Sequence, residues 1–122
     1  MKKFIASAFV ATTVFASLAA SAGTIGPVNV AGLFTETNYA HLGSGKHTLS
    51  GTGIAGSGTA RAMKVIPLKP DEAVAKTAVS SPSTSTDSFN AIDKNDNDVN
   101  QSYYIRWTSL NASSKASVSI YK

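Results

Sequence analysis

Strict alternation near the carboxyl end is what most limits how this chain can fold. Tyr103, Ile105 and Trp107 alternate with Tyr104, Arg106 and Thr108. After Asn111-Ala112-Ser113-Ser114, the residues Ala116, Val118 and Ile120 alternate with Ser117, Ser119 and Tyr121. A period of two sends successive side chains to opposite faces of an extended chain, so each run has one apolar face. The turn-like break between the runs predicts a β-hairpin. Ile105, Trp107, Val118 and Ile120 are the expected core, each contributing roughly 1.5–3 kcal/mol when buried.

The preceding residues lean the same way. They are rich in Ser, Thr, Gly and Ala and short of helix-period patterns, which favours strands. Val28, Val30, Gly32 and Phe34 share one parity, predicting a strand over 28–35. Residues 47–55 and 59–68 flank Gly56-Ser57-Gly58 as the arms of a second hairpin would. Residues 73–79 mix strand-favouring Val and Thr with helix-favouring Ala and Lys; strand is preferred. Residues 80–102 read as a polar mobile loop, low in complexity over 80–87, with Phe89 and Ile92 returning to the core. About six short strands in one domain imply an all-β fold, either a small antiparallel β-sandwich (Ig-like or similar) or a small barrel.

Residues 1–22 read as a bacterial export signal. Lys2 and Lys3 precede an uncharged apolar run from Phe4 to Leu18, and Ala20-Ser21-Ala22 supplies the small residues for cleavage before Gly23. A single domain, residues 23–122, then follows. It has no second long apolar run, so no transmembrane segment is expected in it. Cysteine is absent, so the domain must stand on its core or on assembly rather than on disulfides. The expected location is secreted, cell-surface or periplasmic.

Lys2 and Lys3 carry half of the net charge of +4. The remaining bases are scattered along the sequence, which argues against nucleic acid as a partner. Gly51-Thr52-Gly53-Ile54-Ala55-Gly56 matches the dinucleotide pattern of glycines, yet lacks the strand and helix that give it meaning. Gly43-Ser44-Gly45-Lys46-His47 resembles a phosphate loop but lacks its first glycine and its magnesium-holding hydroxyl. His41 and His47 are too few for a zinc site without a carboxylate such as Glu36. Serines abound without a nucleophile-elbow spacing. No enzymatic activity and no cofactor are expected. Asp93, Asn95, Asp96, Asn97 and Asp98 form a weak calcium candidate, because Asp98 and Tyr104 stand where an EF-hand loop needs glycine and glutamate.

Two surfaces remain as candidates. Tyr104, Arg106 and Tyr121 fall on the polar parity of the terminal strands, and outward aromatics beside Arg suit sugar stacking or a protein contact. Val28, Val30, Gly32 and Phe34 form a candidate assembly strand near the expected new amino terminus. In these alternating apolar ends, with the penultimate Tyr121, the chain resembles subunits of chaperone–usher pili. That resemblance covers only the two ends and implies assembly by donation of a strand to a neighbour. The expected function is therefore self-assembly or adhesion of an exported filament or matrix subunit, with itself or another extracellular protein as partner. The alternative is a soluble binding module for carbohydrate or protein. A third reading, a small membrane-active toxin, rests on the Gly-rich segment 43–58.

Overall fold

A computed structural model describes residues 23–122. The expected export signal over 1–22 lies outside the described residues. Among the described residues there are nine strands and no helix. They are β1 (Ile25–Ala31), β2 (Phe34–Glu36), β3 (Ala40–His41), β4 (Gly45–Ala55), β5 (Ser57–Lys64), β6 (Glu72–Ser80), β7 (Thr84–Ala91), β8 (Ser102–Thr108) and β9 (Lys115–Tyr121). They form two antiparallel sheets packed face to face, a β-sandwich, in orders β1-β9-β4-β7 and β2-β8-β5-β6. We call these the first and second sheets. β3 continues the β2 edge of the second sheet by pairing with Tyr103 and Ser102 of β8.

The apolar parity of each strand turns into the space between the sheets. Leu49, Ile105, Trp107, Val118 and Ile120 are buried there, with Ala60 and Ala62 on β5 and Ala75 and Val79 on β6. Trp107 is 0% exposed, and its Nε1–H donates to Gly32 O at 3.1 Å. This bond satisfies the ring's polar atom inside the core. Ile105, Trp107, Val118 and Ile120 are buried as expected, and the expected strand over 73–79 lies within β6.

The expected pairings do not. β4 lies in the first sheet and β5 in the second, so residues 47–55 and 59–68 are not a hairpin. The chain crosses between sheets at Gly56, and Val65 onward is no longer strand. β8 and β9 likewise lie in opposite sheets, as do β6 and β7. These connections are arches. An arch brings the two apolar faces together across the core, whereas a hairpin sets them side by side, and one alternating pattern serves both. β5 and β6 alone, among the described strands, form a pair of paired neighbours in the way a hairpin does.

The expected strand over 28–35 is also divided. β1 pairs with β9 in the first sheet, and Phe34 opens β2 in the second. Gly32 turns the corner with a φ of 84°, a left-handed conformation open to glycine and costly for most other residues. The segment over 80–102 is not one loop, since Thr84–Ala91 is edge strand β7. Its Ser and Thr residues look like loop sequence because an edge strand with one solvated face needs few apolar side chains. Phe89 does reach the core, but Ile92 stays 38% exposed.

Four arches meet at one end of the sandwich and are tied together there. Gly32 N–H donates to Ser114 O at 2.9 Å, Ser109 N–H to Leu33 O at 3.0 Å, and Ser81 N–H to Gly56 O at 2.9 Å. The other end carries the β5–β6 connection over 65–71 and the β7–β8 connection over 92–101.

Candidate functional site

The outer face of the second sheet gathers the chemistry. With Ala60, Ala62, Ile105 and Trp107 directed into the core, the alternate residues of β5 and β8 face outward. Cross-strand register orders them into rows. Phe34 on β2 stands opposite Thr108, and Thr108 opposite Thr59. In the next row Glu36 stands opposite Arg106, Arg106 opposite Arg61, and Arg61 opposite Lys76. In the third, Tyr104 stands opposite Met63.

Arg106 is held from several sides. Its Nε donates to Glu36 Oε2 at 2.7 Å and its Nη2 to the Tyr104 hydroxyl at 3.1 Å. The guanidinium lies 5.6 Å from the Phe34 ring centroid and 5.9 Å from that of Tyr104, within cation–π range. The bond it donates to Glu36 is the main cause of the rise of the Arg106 pKa. At this exposure the ion pair adds only about 0–1 kcal/mol to stability, so its principal effect is to orient the guanidinium.

Tyr104 faces outward as expected but is not open to solvent: it is 2% exposed. Tyr39 stacks on it at 5.2 Å with an interplanar angle of 24°. Its hydroxyl donates to Asp71 Oδ2 at 2.5 Å, which brings the β5–β6 connection over this face. Burial raises the Tyr104 pKa most; the bond to Asp71 and the charge of Glu36 act in the same direction, and Arg106 opposes them. Met63 is buried in the same layer, outside the main core. The exposed aromatic surface is instead Phe34, at 60%, and Tyr39, at 62%.

The other sequence candidates fall elsewhere. Tyr121 is on β9, opposite Thr48 in the first sheet, and so does not join Tyr104 and Arg106. Val30 is buried in the core, Val28 packs against it, and both belong to a strand already paired with β9. Gly32 is a corner, and Phe34 belongs to the second sheet.

The acidic segment is a compact turn. Asn95 Oδ1 accepts from the backbone N–H groups of Asn97 and Val99 at 2.8 and 3.2 Å, and Lys94 Nζ donates to Asn100 Oδ1. Asn95 thus spends its oxygen on the turn. Asp93, Asp96 and Asp98 do not converge: no group of three or more His, Cys, Asp or Glu suited to a metal occurs among the described residues. Asp93 instead borders an open depression with Gly23, His41, Leu42, Gly43 and Lys122.

His47 is fully buried, its ring nitrogens within 2.9 Å of Gly45 O and 3.1 Å of Leu42 O. His41 Nδ1 faces Gln101 O at 3.2 Å. Each histidine engages backbone, and the two share no site. The glycines of 51–56 run along β4 into an arch with no helix after them.

No local sequence pattern joins Phe34, Tyr39, Arg61 and Lys76 into one site. Phe34, Arg61 and Lys76 are far apart in the chain and are joined by cross-strand register, while Tyr39 joins them by stacking on Tyr104. Comparison with known proteins finds no family model, no curated protein and no solved structure that matches this chain.

Proposed function

We propose that this is an exported, non-enzymatic binding module that attaches to extracellular carbohydrate through the outer face of its second sheet. The observation that carries the reading is the Arg106 guanidinium fixed between the Phe34 and Tyr104 rings while Phe34 and Tyr39 remain open to solvent. Exposed rings offer flat apolar faces for sugar C–H groups, and a held guanidinium offers donors to sugar oxygens. Residues 1–22 support export.

Assembly by strand addition finds less support, because the β1, β2–β3 and β6 edges are each blunted. β1 carries Pro27, which has no N–H, at an irregularity in its pairing. Beside it, the edge of the second sheet is broken between β2 and β3. On the β6–β7 side, Lys76 N–H donates to Asp87 Oδ2 at 3.0 Å and Ser85 Oγ donates to Ala78 O at 2.6 Å.

A glycan array probed with the purified protein, beside the double variant Phe34→Ala, Tyr39→Ala, tests the proposal. Retention of the wild type on a defined set of glycans, lost in the variant, is expected. A wild type that no glycan retains, or a variant retained equally well, overturns it.

A further inference from the structure

We infer that the ligand of this face is an acidic polysaccharide whose carboxylates lie along the row Arg106, Arg61 and Lys76, an inference that rests on the carbohydrate reading above. These three bases are remote in sequence. Register sets them directly opposite one another on β8, β5 and β6. All three project from the outward parity: Ala60, Ala62, Ala75 and Ile105, beside them in the chain, are core.

Like charges directly opposite on neighbouring strands repel and weaken a sheet. A single acid, Glu36, stands in the row, and it is engaged by Arg106 at 2.7 Å. Arg61 is held by a neutral partner, donating from Nη1 to Thr108 Oγ1 at 2.9 Å. Among the described residues no ion pair engages the Arg61 guanidinium or the Lys76 ammonium; the carboxylate of Asp87 on β7 is engaged by the Lys76 backbone N–H at 3.0 Å. An anionic ligand supplies the missing charge. Strand spacing makes the row roughly 10 Å long, about the reach of two linked sugar rings.

The surroundings select a sugar acid over other anions. Phe34 and Tyr39 flank the Arg106 end with exposed rings, and Thr108 and Thr59 line one side with hydroxyls. Guanidinium groups pair with carboxylates through parallel hydrogen bonds. A neutral glycan leaves the repulsion in place. Nucleic acid calls for a broader basic surface than a single row.

The test measures binding of the full-length processed protein to polygalacturonate, to its fully methyl-esterified form, to neutral dextran and to single-stranded DNA, by co-sedimentation at low and moderate salt. Polygalacturonate is expected to bind, more weakly as salt rises, with at least a tenfold loss on esterification. Arg61→Gln and Lys76→Gln are each expected to weaken binding several-fold while the melting temperature stays level or rises, since a repulsive contact is removed. A purely structural role for Arg61 would lower it. Equal binding of the esterified polymer, stronger binding of DNA, or full affinity in both variants overturns the inference. Retention of neutral glycans on the array with no binding of polygalacturonate overturns this inference alone. Absence of all glycan binding overturns both.

Discussion

The Tyr104 hydroxyl donates to Asp71 Oδ2 at 2.5 Å, closing the β5–β6 connection onto the middle of β8. The same oxygen accepts from Arg106 Nη2 at 3.1 Å. One phenol therefore joins the loop, the strand and the guanidinium of the candidate site. Without it, the β5–β6 connection loses a tie to the sheet.

Burial of this phenol, reinforced by its bond to Asp71, makes stability fall at high pH. Tyr104 is raised above its ordinary value of 10.0, chiefly by burial, and Tyr103 is raised for the same main reason. The folded state thus holds both phenolic protons more tightly than the unfolded state does. Their contribution is complete below pH 10 and is lost as pH climbs above it. Melting temperature is expected to fall above that point. Tyr104→Phe should lose roughly 1–3 kcal/mol at neutral pH, where a bond to a carboxylate disappears, and show a shallower alkaline decline. Parallel declines in the two proteins would contradict this account.

Gly58 sits where no side chain fits. A Cβ there would overlap Cζ2 and Cη2 of Trp107 and come within 2.7 Å of Thr108 O. The ring cannot retreat, because it fills the core and is tied to Gly32. Gly58→Ala is expected to cost about 1–3 kcal/mol in urea denaturation, the usual range for overpacking. A loss below half the lower figure would mean that the ring has room to move.

Trp107 is also the single tryptophan of the chain. Its emission should be blue-shifted in the native protein, resist quenching by iodide, and shift red on unfolding. Trp107→Phe removes the donor to Gly32 O and leaves space behind the ring, at a cost of about 1–3 kcal/mol. The corner keeps its bond from Ser109 Oγ to Gly32 O, so the variant should still fold.

The β6–β7 side offers a test of edge protection. Ser85→Ala with Asp87→Ala frees the Ala78 carbonyl and the Lys76 N–H now engaged across the sandwich. Sedimentation velocity should show the wild type as a monomer and the double variant self-associating with concentration. Filaments formed by the wild type would restore assembly by strand addition as the better reading.

Much of the architecture was legible from particular residues. The alternation around Ile105, Trp107, Val118 and Ile120 identified two strands and their buried faces. It did not identify their partners. β8 pairs with β5, and β9 with β4 and β1, through contacts distant in sequence that no local pattern records. β7 escaped notice because Thr84, Thr86 and Ser88 are as suited to a solvated sheet face as to a loop. Arg106 was legible as an outward residue. The cover over Tyr104 was not, since Tyr39 and Asp71 reach it from separate connections.

By itself, then, the sequence determined the all-β class and which parity of β8 and β9 is apolar, because a period of two is a local property of an extended backbone. Only the tertiary structure decided that neighbouring strands arch between sheets, and that Phe34, Arg61, Lys76 and Arg106 share one face. An arch and a hairpin bury the same apolar side chains, so the choice between them rests on packing across the core. That packing sets the registers that bring three scattered bases into one row.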